Sequence, residues 1–349
     1  MTLSINSWMR ALILDAPGHA AIGKKELPAA GPLEVLLRVR MVGLCGSDLN
    51  SYRGRNPLVT YPRIPGHEIS AEVADIGSAV PEEGRYAVGS PVTLSPYSSC
   101  GQCPSCRRGR FHACQFNQTL GVQRDGALTE FIAVPWTKLL VADGLSAREL
   151  CLVEPLTVGF HAAARGRIEG SDTVLVLGCG TVGLGAIAAA RHMGAACVMA
   201  VDVDARKLEL ARRAGADFAI HAGETDVAGR VHEFTRGGPD VVIEAIGTPE
   251  TFRSAVELVA FTGRVVYVGY AKEHVTYDTR LFVQKELDIL GSRNATAADF
   301  AAVIEVLRKR TFPLEEIVSK VVGLEEAPGA MEDWAREPAS VSKILVEVS

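Results

Sequence analysis

Nowhere in these 349 residues do 18 or more apolar residues run together, so no segment reads as a membrane span, and no lipidation signal is visible. Concentrated positive charge is missing too. The formal net charge is −5, and the densest basic run, Arg107-Arg108-Gly109-Arg110, is too short to track a phosphate backbone. Nucleic acid and membrane are therefore not expected partners. Aromatic residues make up only 6% of the chain, which argues against a large apolar cage and favours a polyhydroxylated substrate over a long aliphatic or benzylic one. The first residues, MTLSINSWMR, contain no apolar leader or cleavage site, so the eight cysteines are expected as thiols or metal ligands in a reducing cytoplasm. There is no internal repeat and no low-complexity segment, and the first eight residues read as a loose extension.

What is present is ordinary in bulk and specific in detail. Hydrophobic residues at 48% and charged residues at 22% suit a globular protein, and the length calls for two domains. The first half reads as β-rich. Val35, Leu37, Val39 and Met41 alternate with Glu34, Arg38 and Arg40, with Leu36 the exception, and dense Gly and Pro over 54–126 exclude long helices there. Past residue 172, short apolar runs at 174–177, 198–201, 241–245, 265–268 and 287–290 alternate with helical segments, one capped by Asp204 and ended by Gly215. This βαβ rhythm predicts a parallel, doubly wound sheet. Thr296 to Asp299 form a capping box ahead of Phe300, Val303, Ile304 and Leu307 at helical spacing. The closing run 342–348 is a strand that could return to the first domain.

Four cysteines crowd together as Cys100, Cys103, Cys106 and Cys114 in CGQCPSCRRGRFHAC. Thiols two residues apart on a tight turn converge on one ion, and a fourth from the next turn closes a tetrahedron. Such an S₄ site suits Zn²⁺ and, with all corners filled by protein, is structural. Disulfides do not suit the expected compartment. A ferredoxin-type cluster fits the first three cysteines but not the fourth, which follows seven residues later without a proline.

The run Val174 to Gly183 is a buried strand leading into G-x-G-x-x-G. Gly178 permits the tight turn, Gly180 lets a pyrophosphate approach the backbone, and Gly183 lets helix and strand pack closely. Thr181 and Val182 lie inside that turn. Asp202, nineteen residues on, is placed to accept from an adenosine ribose and to repel a 2′-phosphate, which predicts NAD rather than NADP. The bland alternative is a Gly-rich turn serving another nucleotide. Lys207 and Arg293 are further candidates for the cofactor, and Arg293 could meet either its phosphates or a substrate carboxylate.

Upstream lie Gly43-Leu44-Cys45-Gly46-Ser47-Asp48 and Gly66-His67-Glu68. With the cysteine lobe, VEPLTVGFHAA at 153–163 and GCGTVGLGA at 178–186, they stand in the order of the zinc-dependent medium-chain dehydrogenases, which the chain resembles from Met9 onward. The resemblance implies an α/β protein with a GroES-like β-barrel catalytic domain (1–156 and 296–349, with the lobe at 99–115) and a Rossmann NAD-binding domain (157–295). It implies two zinc ions per chain, one catalytic and one structural, and a homo-oligomer, dimer or tetramer. Cys45 and His67 correspond to catalytic-zinc ligands. Alcohol dehydrogenases place a second cysteine where this chain has Glu154, which matches the polyol, threonine and sugar-acid branches; Cys151 is three residues too early. Glu68 is the fourth candidate. One thiolate, one neutral imidazole and one carboxylate leave Zn²⁺ neutral, so one corner is expected to exchange among Glu68, water and substrate.

By the same resemblance, Ser47 takes the place of the first proton-relay hydroxyl, and Asn50 stands where the family often ends that relay with a histidine. Asp48 is expected to support the loop, and Tyr52, Arg53 and Arg55 to line the pocket. The segment 291–300 looks closest to hexonate dehydrogenases, such as those of L-galactonate, and to bacterial polyol dehydrogenases. The expected reaction is hydride transfer from a secondary alcohol to NAD. L-threonine 3-dehydrogenase and a general alcohol dehydrogenase are the rivals within the family. A nucleic-acid-binding zinc ribbon conflicts with the acidic charge. A zinc-free quinone reductase would not retain the metal ligands.

Overall fold

The computed structural model describes residues 8–84, 86–338 and 341–349. The loose extension expected at the start lies, for residues 1–7, outside the described residues, and Trp8 already belongs to the strand Trp8–Ala16. The chain divides into two compact units: one runs up to Glu154 and resumes at Val318, and the other is Pro155–Ile317. The sequence placed the return near 296. The helix Ala297–Arg308 instead stays with the second unit, where Asp299 accepts at 2.9 Å from His161 and caps its own helix through Thr296.

The first unit is built on antiparallel strands. Strand Glu34–Leu44 is its centre and pairs with Glu68–Ile76, with Phe131–Pro135 and with the C-terminal strand Ile344–Glu347. Its alternation is as expected: Val35, Leu37, Val39 and Met41 are buried, Arg38 is exposed and Leu36 half-buried. Beyond Met41 every residue to Leu44 is buried, since both strand neighbours and both faces are covered there. The pairing Ile344↔Leu44 brings the end of the chain beside the start of the metal-binding motifs. Among the described residues between 54 and 126 no helix exceeds a single turn.

The second unit is a six-stranded parallel sheet in the order Phe218–His221, Cys197–Asp202, Thr173–Leu177, Val241–Glu244, Arg264–Tyr267, Asp288–Gly291. Numbered along the chain this is 3-2-1-4-5-6, the doubly wound dinucleotide-binding order. All five apolar runs became strands. The sixth, Phe218–His221, is a short edge strand with Phe218 exposed, so it lacks the buried run that reveals the others. Phe300, Val303, Ile304 and Leu307 are all buried, as their spacing requires. The helix Ala147–Arg165 was not foreseen, because Pro155 inside it removes a helical N–H and reads as a breaker. Among the described residues no helix is long and apolar enough to cross a membrane.

Candidate metal centres and cofactor turn

In the cysteine lobe, Cys103 caps the one-turn helix Pro104–Arg107, with Pro104 at its first position. Backbone N–H groups point at the sulfurs: Cys103 N donates to Cys100 Sγ at 3.3 Å, and Cys100 N and Phe116 N both donate to Cys114 Sγ at 3.3 Å. The four sulfurs lie within 4.8 Å of one another. Cys103 Sγ is 3.4 Å from Cys106 Sγ and 3.8 Å from Cys114 Sγ. A tetrahedron with Zn–S bonds of about 2.3 Å has edges of about 3.8 Å, whereas a disulfide needs about 2.05 Å. None of the eight cysteines, all of them among the described residues, is in a disulfide. The Ser105 hydroxyl and backbone N–H groups draw Cys103 down to about 5, while burial and the neighbouring thiols push Cys106 up to about 12. Thiols this close cannot all ionise without a cation between them, so the lobe fits the structural zinc.

The second cluster is assembled by the sheet of the first unit. Cys45 sits at the end of Glu34–Leu44 and caps the helix Gly46–Tyr52. The fully buried Asp48 accepts from Cys45 N at 2.8 Å through one oxygen and from Gly66 N at 3.2 Å through the other. One carboxylate thereby fixes the backbone at the first ligand and just before the second. It also lies 3.8 Å from His67 Nδ1. Gly66 has φ +98°, and a Cβ there would meet Val42 at 2.7 Å. Gly43 faces Glu68 across the strands, and a Cβ there would fall 2.0 Å from the Glu68 carboxylate. Two glycines of the motifs are thus steric requirements of the site.

Ligand atoms of Cys45, His67 and Glu68 lie within 4.8 Å of one another. Glu68 is fully buried, and both its oxygens accept from Lys343 Nζ, at 2.6 and 2.7 Å. Lys343 arrives with the C-terminal strand and also donates to the Leu44 carbonyl at 3.3 Å. Glu154 falls outside that three-residue group. Its carboxylate accepts from the buried Tyr97 hydroxyl. Burial raises the Glu154 pKa, partly countered by His67, and burial and Glu154 together push the Tyr97 phenol well above its usual range. Burial alone would pull the His67 imidazole down, but Asp48, Cys45 and Glu154 outweigh it and carry it well above the ordinary histidine value. The thiol of Cys45, the imidazole of His67 and the carboxylate of Glu68 converge here, with Lys343 bonded to the last of them. That mixed thiol, imidazole and carboxylate donor set suits a divalent cation.

Ser47 Oγ and His67 Nδ1 are buried polar atoms without a hydrogen-bond partner. The Ser47 hydroxyl, two residues from Cys45, is therefore available to an incoming group. Asn50 accepts a backbone bond from Arg55 N at 2.8 Å through its carbonyl. Of the next residues, Tyr52 and Arg53 are taken up elsewhere. Tyr52 is packed in the core, the Arg53 guanidinium is bonded to the Ala335 carbonyl and Arg55 is exposed. Lys343 and Tyr97 are the residues that sequence reasoning missed. No local spacing signals either of them, since their roles arise only when distant strands pair.

In the second unit, the glycine turn follows Thr173–Leu177 at the point where the strand order reverses. Gly178 has φ +97°, and a Cβ on Gly183 would sit 1.8 Å from the Gly178 carbonyl oxygen, so helix and turn touch there. Gly180 caps the helix Thr181–His192 and has nothing within 4 Å of its Cβ position, which leaves the helix N-terminus open to a phosphate. Thr181 and Val182 are half-buried beside it. Asp202 accepts from Cys179 N at 2.8 Å, Val203 N at 2.8 Å and Asp204 N at 3.0 Å. These bonds take three of about four lone-pair positions on a carboxylate, fixing it rigidly with one position left. Burial and Asp202 push the Cys179 thiol up while the charge of Lys207 opposes them, so Lys207 acts on the same turn. Arg293 is exposed just after the strand Asp288–Gly291.

Family models match both units: an alcohol dehydrogenase GroES-like domain at residues 31–143 and a zinc-binding dehydrogenase domain at 181–309. The L-galactonate-5-dehydrogenase of Escherichia coli (strain K12) is 35% identical over 297 residues, covering 85% of this chain and 86% of that protein. Among solved structures, a putative zinc-binding dehydrogenase from Sinorhizobium meliloti 1021 bound to NADP is similar with a TM-score of 0.90 and 30% identity, covering 98% of this chain and all of the other. The short chain alcohol dehydrogenase of Escherichia coli CFT073 complexed with NADH gives a TM-score of 0.89 and 29% identity, with 98% and 100% covered.

Proposed function

The chain belongs to the zinc-type alcohol dehydrogenase family, in its polyol and sugar-acid branch, and from that premise we propose that it oxidises a secondary hydroxyl of a polyol or sugar acid, a hexonate such as L-galactonate foremost, with NAD⁺ as hydride acceptor. The observation that carries this reading is the convergence of Cys45, His67 and Glu68 ligand atoms within 4.8 Å, apart from the closed lobe. When bound, a zinc ion on these residues supplies Lewis-acid polarisation of the hydroxyl oxygen, and the nicotinamide supplies the hydride acceptor.

The chain's own residues do the rest. Asp48 holds the Cys45 and Gly66 backbones in place and sets its charge 3.8 Å from the His67 imidazole. Ser47 Oγ accepts the proton leaving the substrate hydroxyl. Asn50 has no titratable proton, so the relay passes from Ser47 to water rather than to a histidine. Lys343 compensates the Glu68 charge whenever that carboxylate is not on the metal. Gly180 and the helix N-terminus behind it receive the pyrophosphate, with Lys207 adding positive charge, and Asp202 accepts from the adenosine ribose. Arg293 is assigned to the cofactor phosphates or the substrate carboxylate. The enzyme acts as a homo-oligomer in a reducing cytoplasm, with one closed and one open zinc per chain.

The test is NAD⁺ reduction against hexonates, alditols, L-threonine and simple secondary alcohols, with zinc content measured on the same sample. Turnover with hexonates or alditols is expected, and L-threonine as best substrate would shift the assignment to the threonine branch. No turnover with any secondary alcohol at full zinc loading would overturn the reading. Equal use of NAD⁺ and NADP⁺ would show that Asp202 does not select the cofactor.

A further inference from the structure

We propose that Glu244 is a fixed anion on the nicotinamide side of the cofactor crevice, where it favours the oxidised cofactor over the reduced one; this rests on the NAD-dependent reading above. A doubly wound sheet holds a dinucleotide across the crevice where its strand order reverses, with one mononucleotide on each half. On that reading Asp202 meets the adenosine ribose at the end of the strand Cys197–Asp202. The nicotinamide half is then the other three strands, Val241–Glu244, Arg264–Tyr267 and Asp288–Gly291. Glu244 is the last residue of the first of these, at the carboxyl end that faces the ligand.

Glu244 is fully buried. Its Oε1 accepts from Ile246 N at 2.9 Å, Gly247 N at 2.7 Å and Thr251 Oγ1 at 2.7 Å. Three donors on one oxygen suit an anion and hold it in one orientation. Oε2 has no hydrogen-bond partner, and among the described residues no Lys, Arg or His pairs with the carboxylate. The bare oxygen faces the segment that leaves the next strand, where a Cβ on Gly269 would fall 2.5 Å from it. Its charge reaches further. Tyr267 stands opposite Glu244 across the strands, and burial raises its phenol, with Tyr277 and Glu244 adding to the rise. A buried charge without a counter-ion is costly. The pyridinium ring of NAD⁺ is positive, and the electron pair that arrives with the hydride leaves the ring of NADH neutral. The Glu244 carboxylate attracts the first form and is indifferent to the second. Inside a protein such attraction persists over about 10 Å, so no direct contact is required. Alcohol oxidation gains at both ends, since the incoming cofactor is held and the outgoing one is released.

The experiment measures the dissociation constants of NAD⁺ and NADH by calorimetry for zinc-loaded wild type, Glu244→Gln, Glu244→Met and Thr251→Val, with thermal melting to identify the folded variants. Either neutral replacement of Glu244 is expected to weaken NAD⁺ by about 10-fold relative to NADH, because only the pyridinium loses its partner. Thr251→Val removes one donor but keeps the charge. It shifts both constants together and leaves their ratio as in wild type. A turn merely loosened by lost hydrogen bonds would weaken both forms alike. An unchanged ratio in a folded Glu244→Gln or Glu244→Met would therefore overturn the proposal, and so would a Thr251→Val ratio shifted as far as theirs. A wild-type protein that binds neither NAD⁺ nor NADH would instead overturn the functional reading.

Discussion

The two cysteine-bearing sites of the first unit are built in opposite ways. The lobe draws four identical ligands from one loop whose ends, Cys100 and Cys114, are 14 residues apart, and backbone N–H groups of the same loop stabilise the sulfurs. The open centre brings together three different candidate ligands from the end of one strand and the start of the next. It then needs a lysine 275 residues beyond Glu68 to compensate a buried carboxylate. A closed shell can be made locally because it has only to satisfy an ion. An open one must hold charge while leaving a corner empty, so the fold around it carries the compensation.

The strongest way to break this contrast is to remove a ligand from the open side. Cys45→Ser should lower kcat/KM by about 10³-fold or more, since Lewis-acid polarisation is worth several kcal/mol, while the lobe keeps its metal and the protein its melting temperature. A turnover loss below 10-fold would place the chemistry elsewhere. Next in size is Lys343→Met, which strands the Glu68 carboxylate. Chelated protein should lose about 3–5 kcal/mol in denaturant unfolding, and zinc should restore part of it by taking the carboxylate as ligand. Equal losses with and without metal would mean that Glu68 never exchanges between lysine and ion.

The smallest effect comes from a buried hydrogen-bonded pair, His161 and Asp299, that involves no metal. Burial raises the Asp299 pKa, but the bonds from His161 and Thr296 outweigh it and hold the carboxyl below its usual range. A depressed carboxylate contributes stability that is complete above its unfolded pKa of about 4 and is lost as pH falls through the lower folded value. Asp299→Asn should therefore cost about 1 kcal/mol near pH 7, and the gap from wild type should close in acid. A gap independent of pH would assign the residue to capping alone.

How much was legible beforehand follows the same divide. The lobe, the glycine turn and five of the six parallel strands were visible because each is written in a short stretch: ligand spacing, G-x-G-x-x-G, or a buried apolar run. Cys45, His67 and Glu68 were legible only through the resemblance, and the sheet explains why they converge, with Gly43 making room for the Glu68 carboxylate. Lys343 and Tyr97 were invisible, because a lone Lys before a terminal strand and a lone Tyr before a cysteine loop carry no periodicity. The helix Ala147–Arg165 was hidden by Pro155, and the edge strand Phe218–His221 by its exposure. Arg53 was placed at the pocket by proximity in sequence, but its guanidinium is taken by the Ala335 carbonyl.

The division into one closed and one open metal site is tested most directly by counting zinc in purified wild type, Cys45→Ser and Cys103→Ser. Two ions per chain are expected in wild type and one in each variant, with Cys45→Ser retaining its ion against a chelator and Cys103→Ser the less stable protein. A single ion in wild type, or two in Cys45→Ser, would contradict it.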